Sequence, residues 1–356
     1  MRRDIMEWHR NTTSLQFDIS SHCNARCGAC VRNVDGGDTE KNLPLAHFDF
    51  DLWKRIAYED THRWYMHRLN LNGNWGDPMM HPKLVEMMEV WLDAHPRSTP
   101  SIATNGSMRG PKFWHDLANV LHQFPNHKVD FSIDGMGDTH DIYRRRTDFS
   151  KICENVKSFS DAGGHATIQF TMFEHNKHQH QEIEDLARSL GAMQLVKRRS
   201  HSPNMVIKDK DEEYTITATD GIPESRTRLK DDRIESTNPH KEHILEMGDM
   251  YDTYLNTSEK QKTKCPWYNQ QEIQIDPWGT VWPCCHVSLF GVDLEKHTLA
   301  NEVDETFVQA RKDNNLHDHS LYEILSSDWY NEHVKLSVKV QNGKRVNEHV
   351  ELKHNV

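Results

Sequence analysis

Three of the chain's seven cysteines, Cys23, Cys27 and Cys30, fall within eight positions in the stretch HCNARCGAC. Three thiols this close cannot all pair as disulfides, so their natural chemistry is metal binding. Two kinds of centre suit them. Zinc accepts short cysteine spacings, with His22 or a distant residue as fourth ligand. An iron–sulfur cube is also held by thiolates on short loops. With only three protein thiolates, such a cube keeps one iron open to a substrate or cofactor. A second group, Cys265, Cys284 and Cys285, lies in CPWYNQQEIQIDPWGTVWPCCH, and Cys153 stands apart.

The elements that must position the first group alternate in type. Strand-like runs occur at 15–20, 67–72, 101–105, 128–134, 165–173 and 193–198. Helix-period segments at 49–60, 83–94, 112–124, 149–159 and 180–191 separate them. Such an alternation predicts a parallel sheet, because parallel neighbours need crossover connections. Parallel sheets place their chemistry at the carboxyl ends of the strands, and the first cysteine group directly follows the first strand. Residues 201–264 turn polar and acid-rich, with DKDEE and LKDDR, and read as a solvated linker or insertion with one helix at 242–255. A Cys- and Trp-containing segment with a helix at 320–333 occupies 265–333; residues 1–14 and 334–356 read as a lead-in and a polar tail.

The net charge of −11 argues against nucleic acid or an anionic membrane as the main partner. MRRDIMEWHR lacks the apolar run of a secretory signal, and no stretch approaches the roughly 20 apolar residues of a membrane span. The expected location is the cytosol, where thiols stay reduced.

The spacing C-x3-C-x2-C after a first strand resembles the radical S-adenosylmethionine enzymes. Further segments agree in order: LNGNWGDPMMHP at 71–82 with that family's glycine-rich segment, then TNG at 104–106, SIDG at 132–135, and YRRRTDFSKICENVKSF at 143–159. The resemblance covers roughly residues 15 to 200. It implies an α/β fold, a partial (β/α)6 TIM-like barrel with a small C-terminal α+β cluster-binding extension. It also implies that Cys23, Cys27 and Cys30 hold a [4Fe-4S] cluster whose open iron binds S-adenosylmethionine. The cofactor contacts it implies are Gly73, Asn74, Gly76, Asp77, Pro78, Asn105, Ser132, Asp134 and Arg144. Glycines 73 and 76 would admit close approach of backbone carbonyls to an amine. Asp77 would add a charge-assisted bond, and Arg144 would pair with a carboxylate. The residue before the third cysteine, often aromatic in the family, is Ala29 here.

The second cysteine group resembles the start of the auxiliary-cluster extensions called SPASM and twitch. QEIQIDPWGTVW alternates as a hairpin through PWG, which would bring Cys284 beside Cys265. A full SPASM domain carries several later cysteines, and none follows Cys285. One auxiliary cluster on Cys265, Cys284 and Cys285 is expected, with zinc as the alternative. The family implies a reductant such as flavodoxin or ferredoxin. It implies as substrate a peptide or protein side chain, or else a small molecule such as a sugar or amino-alcohol. A non-enzymatic metal-binding module is the competing class. Cys153, on an apolar helix face, reads as a core thiol, and HNKHQHQ at 175–181 as a solvated helix start.

Overall fold

The computed structural model describes residues 12–41, 43–59, 66–200, 204–209, 212–219, 223–230, 272–284, 288, 305–334, 340–341 and 344–345. Six strands and five crossover helices alternate as the sequence predicts: β1 (Ser14–Phe17), α1 (Phe50–Tyr58), β2 (Arg68–Leu71), α2 (Leu84–Ala94), β3 (Thr99–Thr104), α3 (Pro111–Leu121), β4 (Lys128–Ser132), a short extra helix α4 (Asp138–Tyr143), α5 (Phe149–Asp161), β5 (Ala166–Met172), α6 (His180–Ser189) and β6 (Gln194–Arg199). Helix starts follow local chemistry. Asp49 accepts from Leu52 N at the head of α1, Asp148 from Lys151 N at the head of α5, and Pro111 opens α3.

The six strands are parallel neighbours in sequence order, the arrangement of a partial TIM-like barrel. Two side-chain sets follow from the period of two. Leu15, Phe17, Leu69, Leu71, Ile102, Val129, Phe131, Ile168, Phe170 and Leu195 point outward into a core shared with Trp53, Met87, Trp91, Trp114 and Phe159 of the helices. The other set, on the concave face, is polar.

The nine-stranded sheet runs on past both ends of this array. On one side β9 (Ser225–Arg228) pairs antiparallel with β6. On the other, β10 (Glu272–Ile275) pairs in parallel with β1, and the edge strand β11 (Val281–Trp282) folds back on it. The hairpin expected in QEIQIDPWGTVW is therefore present, and its first strand is part of the barrel sheet. Its turn is closed by Asp276, which accepts from Trp278 N, Thr280 N and Trp282 Nε1. Gly279 takes the left-handed φ of 87° that the turn demands. Helix α7 (Glu305–Asp313) and α8 (Leu321–Ser326) follow; Ser320 and Glu323 form a capping box on α8, which buries Leu321, Ile324 and Leu325 in the main core.

The linker reading of 201–264 needs correction. Residues 204–217 form an antiparallel hairpin, β7 (Asn204–Asp209) with β8 (Glu212–Thr217). Its charged residues dominate the composition, but Met205, Ile207 and Ile216 are buried in a separate cluster with Phe173, flanked by Ile142 and Tyr143. The helix expected at 242–255 lies outside the described residues. Cys153 packs against the main core, and burial pushes its thiol up to about 11.

The end of the barrel away from the strand carboxyl termini buries imidazoles. His127 and His165 stack at 4.1 Å, and His165 N donates to His127 Nε2. Burial lowers His95 and His165, and also His140 at the opposite end beside Asp134, from 6.5 to about 4. Between these limits the unfolded chain binds protons that the folded one refuses, so stability must fall as pH drops from 6.5 toward 4. The buried Asp18, Asp77 and Asp276, whose values burial raises, act in the opposite sense. The difference between wild type and H165Q isolates the histidine contribution. Wild type should lose more melting temperature than H165Q between pH 7 and pH 5, by about 3 °C or more; equal losses would contradict neutral burial of His165.

Candidate metal and cofactor centre

The loop after β1 carries Cys23, Cys27 and Cys30 at the carboxyl end of the strand. A two-residue antiparallel bridge, Arg26–Cys27 with Arg144–Arg145, fastens it to the segment after α4. All three thiols are free. Burial, then the proximity of Asp77 and Cys27, pushes Cys23 up to about 12; burial and Cys27 push Cys30 up to about 11. These thiols hold their protons until a metal displaces them. Among the described residues, no three His, Cys, Asp or Glu side chains converge on a point that would seat a single ion.

The glycine-rich segment packs directly on this loop. A Cβ at Gly76 would overlap the carbonyl oxygens of Ser20 and His22, and one at Gly73 would overlap Gly76 O. Glycine is required here by close backbone approach, with no positive φ involved. Asp77 N donates to His22 O at 2.8 Å. Arg32, 2% exposed, clamps the same pair of segments by donating to Trp75 O (2.9 Å) and Ser21 O (2.8 Å). Pro78 starts a short buried turn, 78–80.

Several residues expected to touch a ligand are bound to one another. Asp77 is buried and accepts from Thr104 Oγ1, Asn105 N (2.8 Å), Asn105 Nδ2 (2.6 Å) and Met79 N (2.9 Å). Asn105 also donates to Asn24 Oδ1 at 2.9 Å, lies 3.8 Å from Cys23 Sγ, and accepts from Ser107. This network ties the glycine-rich segment and the end of β3 to the cysteine loop. Asp134 is fully buried: Arg144 Nε donates to it at 2.5 Å and Thr171 N at 2.6 Å. Arg144 thereby places Nη1 3.5 Å from Cys27 Sγ and its guanidinium over the Tyr143 ring. Asn74 donates its backbone N–H to Asp18, and its side chain stands beside the same carboxylate. Ser132 lies half-buried on the concave face of β4.

Other contributors gave no sequence signal. Asp18, buried at the end of β1, joins Asn74 N to Gln274 Nε2 of β10, so the C-terminal strand supports the glycine-rich segment. Trp75 meets Trp278 of the C-terminal turn edge-on at 6.0 Å. Ile207 of the β7–β8 hairpin presses on Gly28 and Gly36, within the cysteine loop and just beyond it. Cys284 follows β11 and is half-buried; Cys265 and Cys285 lie outside the described residues.

Residues 265–349 match the SPASM family, an iron-sulfur cluster-binding domain. No curated protein matches the sequence. Among solved structures, the chain is similar to a histidine-tagged anSMEcpe with bound AdoMet, with a TM-score of 0.53 at 16% identity over 92% of this chain and 81% of that one. It is also similar to Streptococcus suis SuiB bound to S-adenosylmethionine, at TM-score 0.47 and 12% identity over 83% of this chain. A third is BtrN in complex with AdoMet and 2-DOIA, at TM-score 0.43 and 14% identity over 91% of this chain and 86% of that one. The chain spans 66% of the length of the SuiB structure. No helix among the described residues is long and apolar enough to cross a membrane. The chain thus shares the fold of anSMEcpe, and its residues 265–349 match an iron-sulfur cluster-binding domain.

Proposed function

We propose that the protein cleaves S-adenosylmethionine reductively and abstracts hydrogen from an organic substrate, a peptide or protein side chain being the leading class. The observation that carries this reading is the placement of Cys23, Cys27 and Cys30 on one loop at the mouth of the partial barrel, locked to the glycine-rich segment by Arg32, Asp77 and Asn105. A [4Fe-4S] cluster with S-adenosylmethionine on its open iron would supply one electron to the carbon–sulfur bond and yield a 5′-deoxyadenosyl radical. Cys23, Cys27 and Cys30 would hold the cluster, with Arg144 set beside Cys27 by Asp134. The glycines at 73 and 76 leave no side chain between the two loops. A one-electron donor of flavodoxin or ferredoxin type would serve the centre. The SPASM match supports one auxiliary cluster served by Cys284 together with Cys265 and Cys285.

Anaerobic reconstitution tests the two sites separately. Changing Cys23, Cys27 and Cys30 together to Ser should remove about four irons per chain, the content of one cube. The reduced wild-type protein should show an electron-spin signal that shifts on adding S-adenosylmethionine. A signal indifferent to the cofactor would remove the reading.

A further inference from the structure

The β7–β8 hairpin packs on the cysteine loop, yet the proposed chemistry leaves it without a role. Its side chains alternate strictly. Asn204, Val206 and Lys208 on β7 and Glu213, Thr215 and Thr217 on β8 are exposed, whereas Met205, Ile207 and Ile216 are buried and Tyr214 is half-buried. Register pairs Ile207 with Tyr214 and Met205 with Ile216, so these four share one face. A two-stranded hairpin alone is marginally stable in water, so this face is held by what it covers. Ile207 is 0% exposed. A Cβ at Gly28 would stand 2.5 Å from Ile207 Cδ1, and one at Gly36 2.9 Å from the same atom. A Cβ at Gly37 would stand 2.7 Å from Lys208 O. Gly28 lies between Cys27 and Cys30 in the chain, and its added Cβ would also come 3.6 Å from Tyr143 Cδ2. Tyr143 in turn meets Phe173 at 4.7 Å and lies under the Arg144 guanidinium that reaches Cys27. Polar fastenings flank the apolar face: Tyr214 Oη donates to Ile142 O at 2.8 Å, and Glu174 N donates to Thr217 O at 3.0 Å. The cluster so formed is separate from the barrel core.

We infer that this hairpin is the dry cover of the cysteine loop, and that Ile207 is the positioning residue that keeps water, oxidants and chelators from Cys27 and Cys30. The loop cannot shield itself at this point, because Gly28 presents bare backbone and Ala29 adds a single methyl. Ile207 supplies the missing apolar bulk from about 180 residues along the chain. An apolar shell around a metal centre governs solvent access to it, and attack on cysteine sulfur follows exposure. The inference rests on the proposed function for the identity of the covered group as an iron–sulfur cluster.

The test uses the full-length, iron-loaded protein, held without oxygen in a ferrous-iron chelator and N-ethylmaleimide. Peptide mass spectrometry then reads how fast each cysteine is alkylated. Ile207→Ala should speed alkylation of Cys27 and Cys30 by about tenfold or more, because access follows the local opening equilibrium. Ile207→Val removes Cδ1 alone; it should speed the same reaction about threefold or more, and it decides the matter should Ile207→Ala fail to fold. Val206→Ala, on the exposed face of the same strand, should match wild type. Cys153, packed against the main core, is the reference within each sample. A general loss of stability would raise its rate in step with the others, whereas loss of the cover leaves it unchanged. Wild-type rates at Cys27 and Cys30 in Ile207→Val, or a Cys153 rate that rises with theirs, would overturn the assignment. Iron content is measured on the same samples. A wild type that takes up no iron fails the cluster reading, while alkylation of Cys27 and Cys30 still scores the cover.

Discussion

Alanine at position 76 should leave a protein that folds poorly around its cysteine loop and loses at least a hundredfold in 5′-deoxyadenosine formation. The added methyl would occupy the space of the Ser20 and His22 carbonyl oxygens. Backbone atoms cannot swing aside as a side-chain tip can, so the two loops must separate. Overpacking of this kind costs about 1–3 kcal/mol. The functional loss should exceed the stability loss, because His22 immediately precedes Cys23, and a displacement near 1 Å at a reacting centre can cost ~10²-fold. Gly110→Ala is the control: it has ordinary extended φ and nothing within 4 Å of the added carbon. It should cost under about 1 kcal/mol and leave activity intact. Wild-type activity and iron content in Gly76→Ala would show that the two loops are not in contact.

Asp77→Ala separates two roles for a residue that the sequence alone suggests as a ligand contact. In the structure its carboxylate is the common acceptor for Thr104, Asn105 and Met79. Removing it strands several buried donors at once, a loss on the order of 3–5 kcal/mol. Because Asn105 also reaches Asn24 and the Cys23 sulfur, iron retention should fall with stability. Thr104→Val, which deletes one of these donors, should cost only about 1 kcal/mol. If Asp77→Ala instead melts like wild type and only weakens S-adenosylmethionine binding, Asp77 is a ligand contact and its positioning role is wrong.

The sequence was most legible where chemistry is local. Helix periods gave α1 and α5 nearly to the residue, and strand alternation gave β1 to β6. The cysteine loop was legible because its spacing is a chemical constraint. What escaped was set by partners distant in sequence. The pairing of β10 with β1, and the bond from Ser14 to Glu272, joins residues 258 positions apart. Nothing near Gln274 announces that it will donate to Asp18. The β7–β8 hairpin was hidden by its charged residues, since Ile207 and Ile216 gain burial from Phe173, Ile142 and Tyr143 elsewhere in the chain. The roles of the expected ligand contacts are less legible for a related reason. Motif position places Asp77, Asn105 and Asp134 at the strand ends. Whether a carboxylate or amide there faces a ligand or a neighbour depends on three-dimensional accounting of donors and acceptors.

The most direct measurement is 5′-deoxyadenosine formation by anaerobically reconstituted, chemically reduced protein given S-adenosylmethionine, with Cys27→Ala alongside. The account predicts product from wild type, at least a thousandfold less from Cys27→Ala, and both proteins folded. No product from fully iron-loaded, reduced wild type would contradict it.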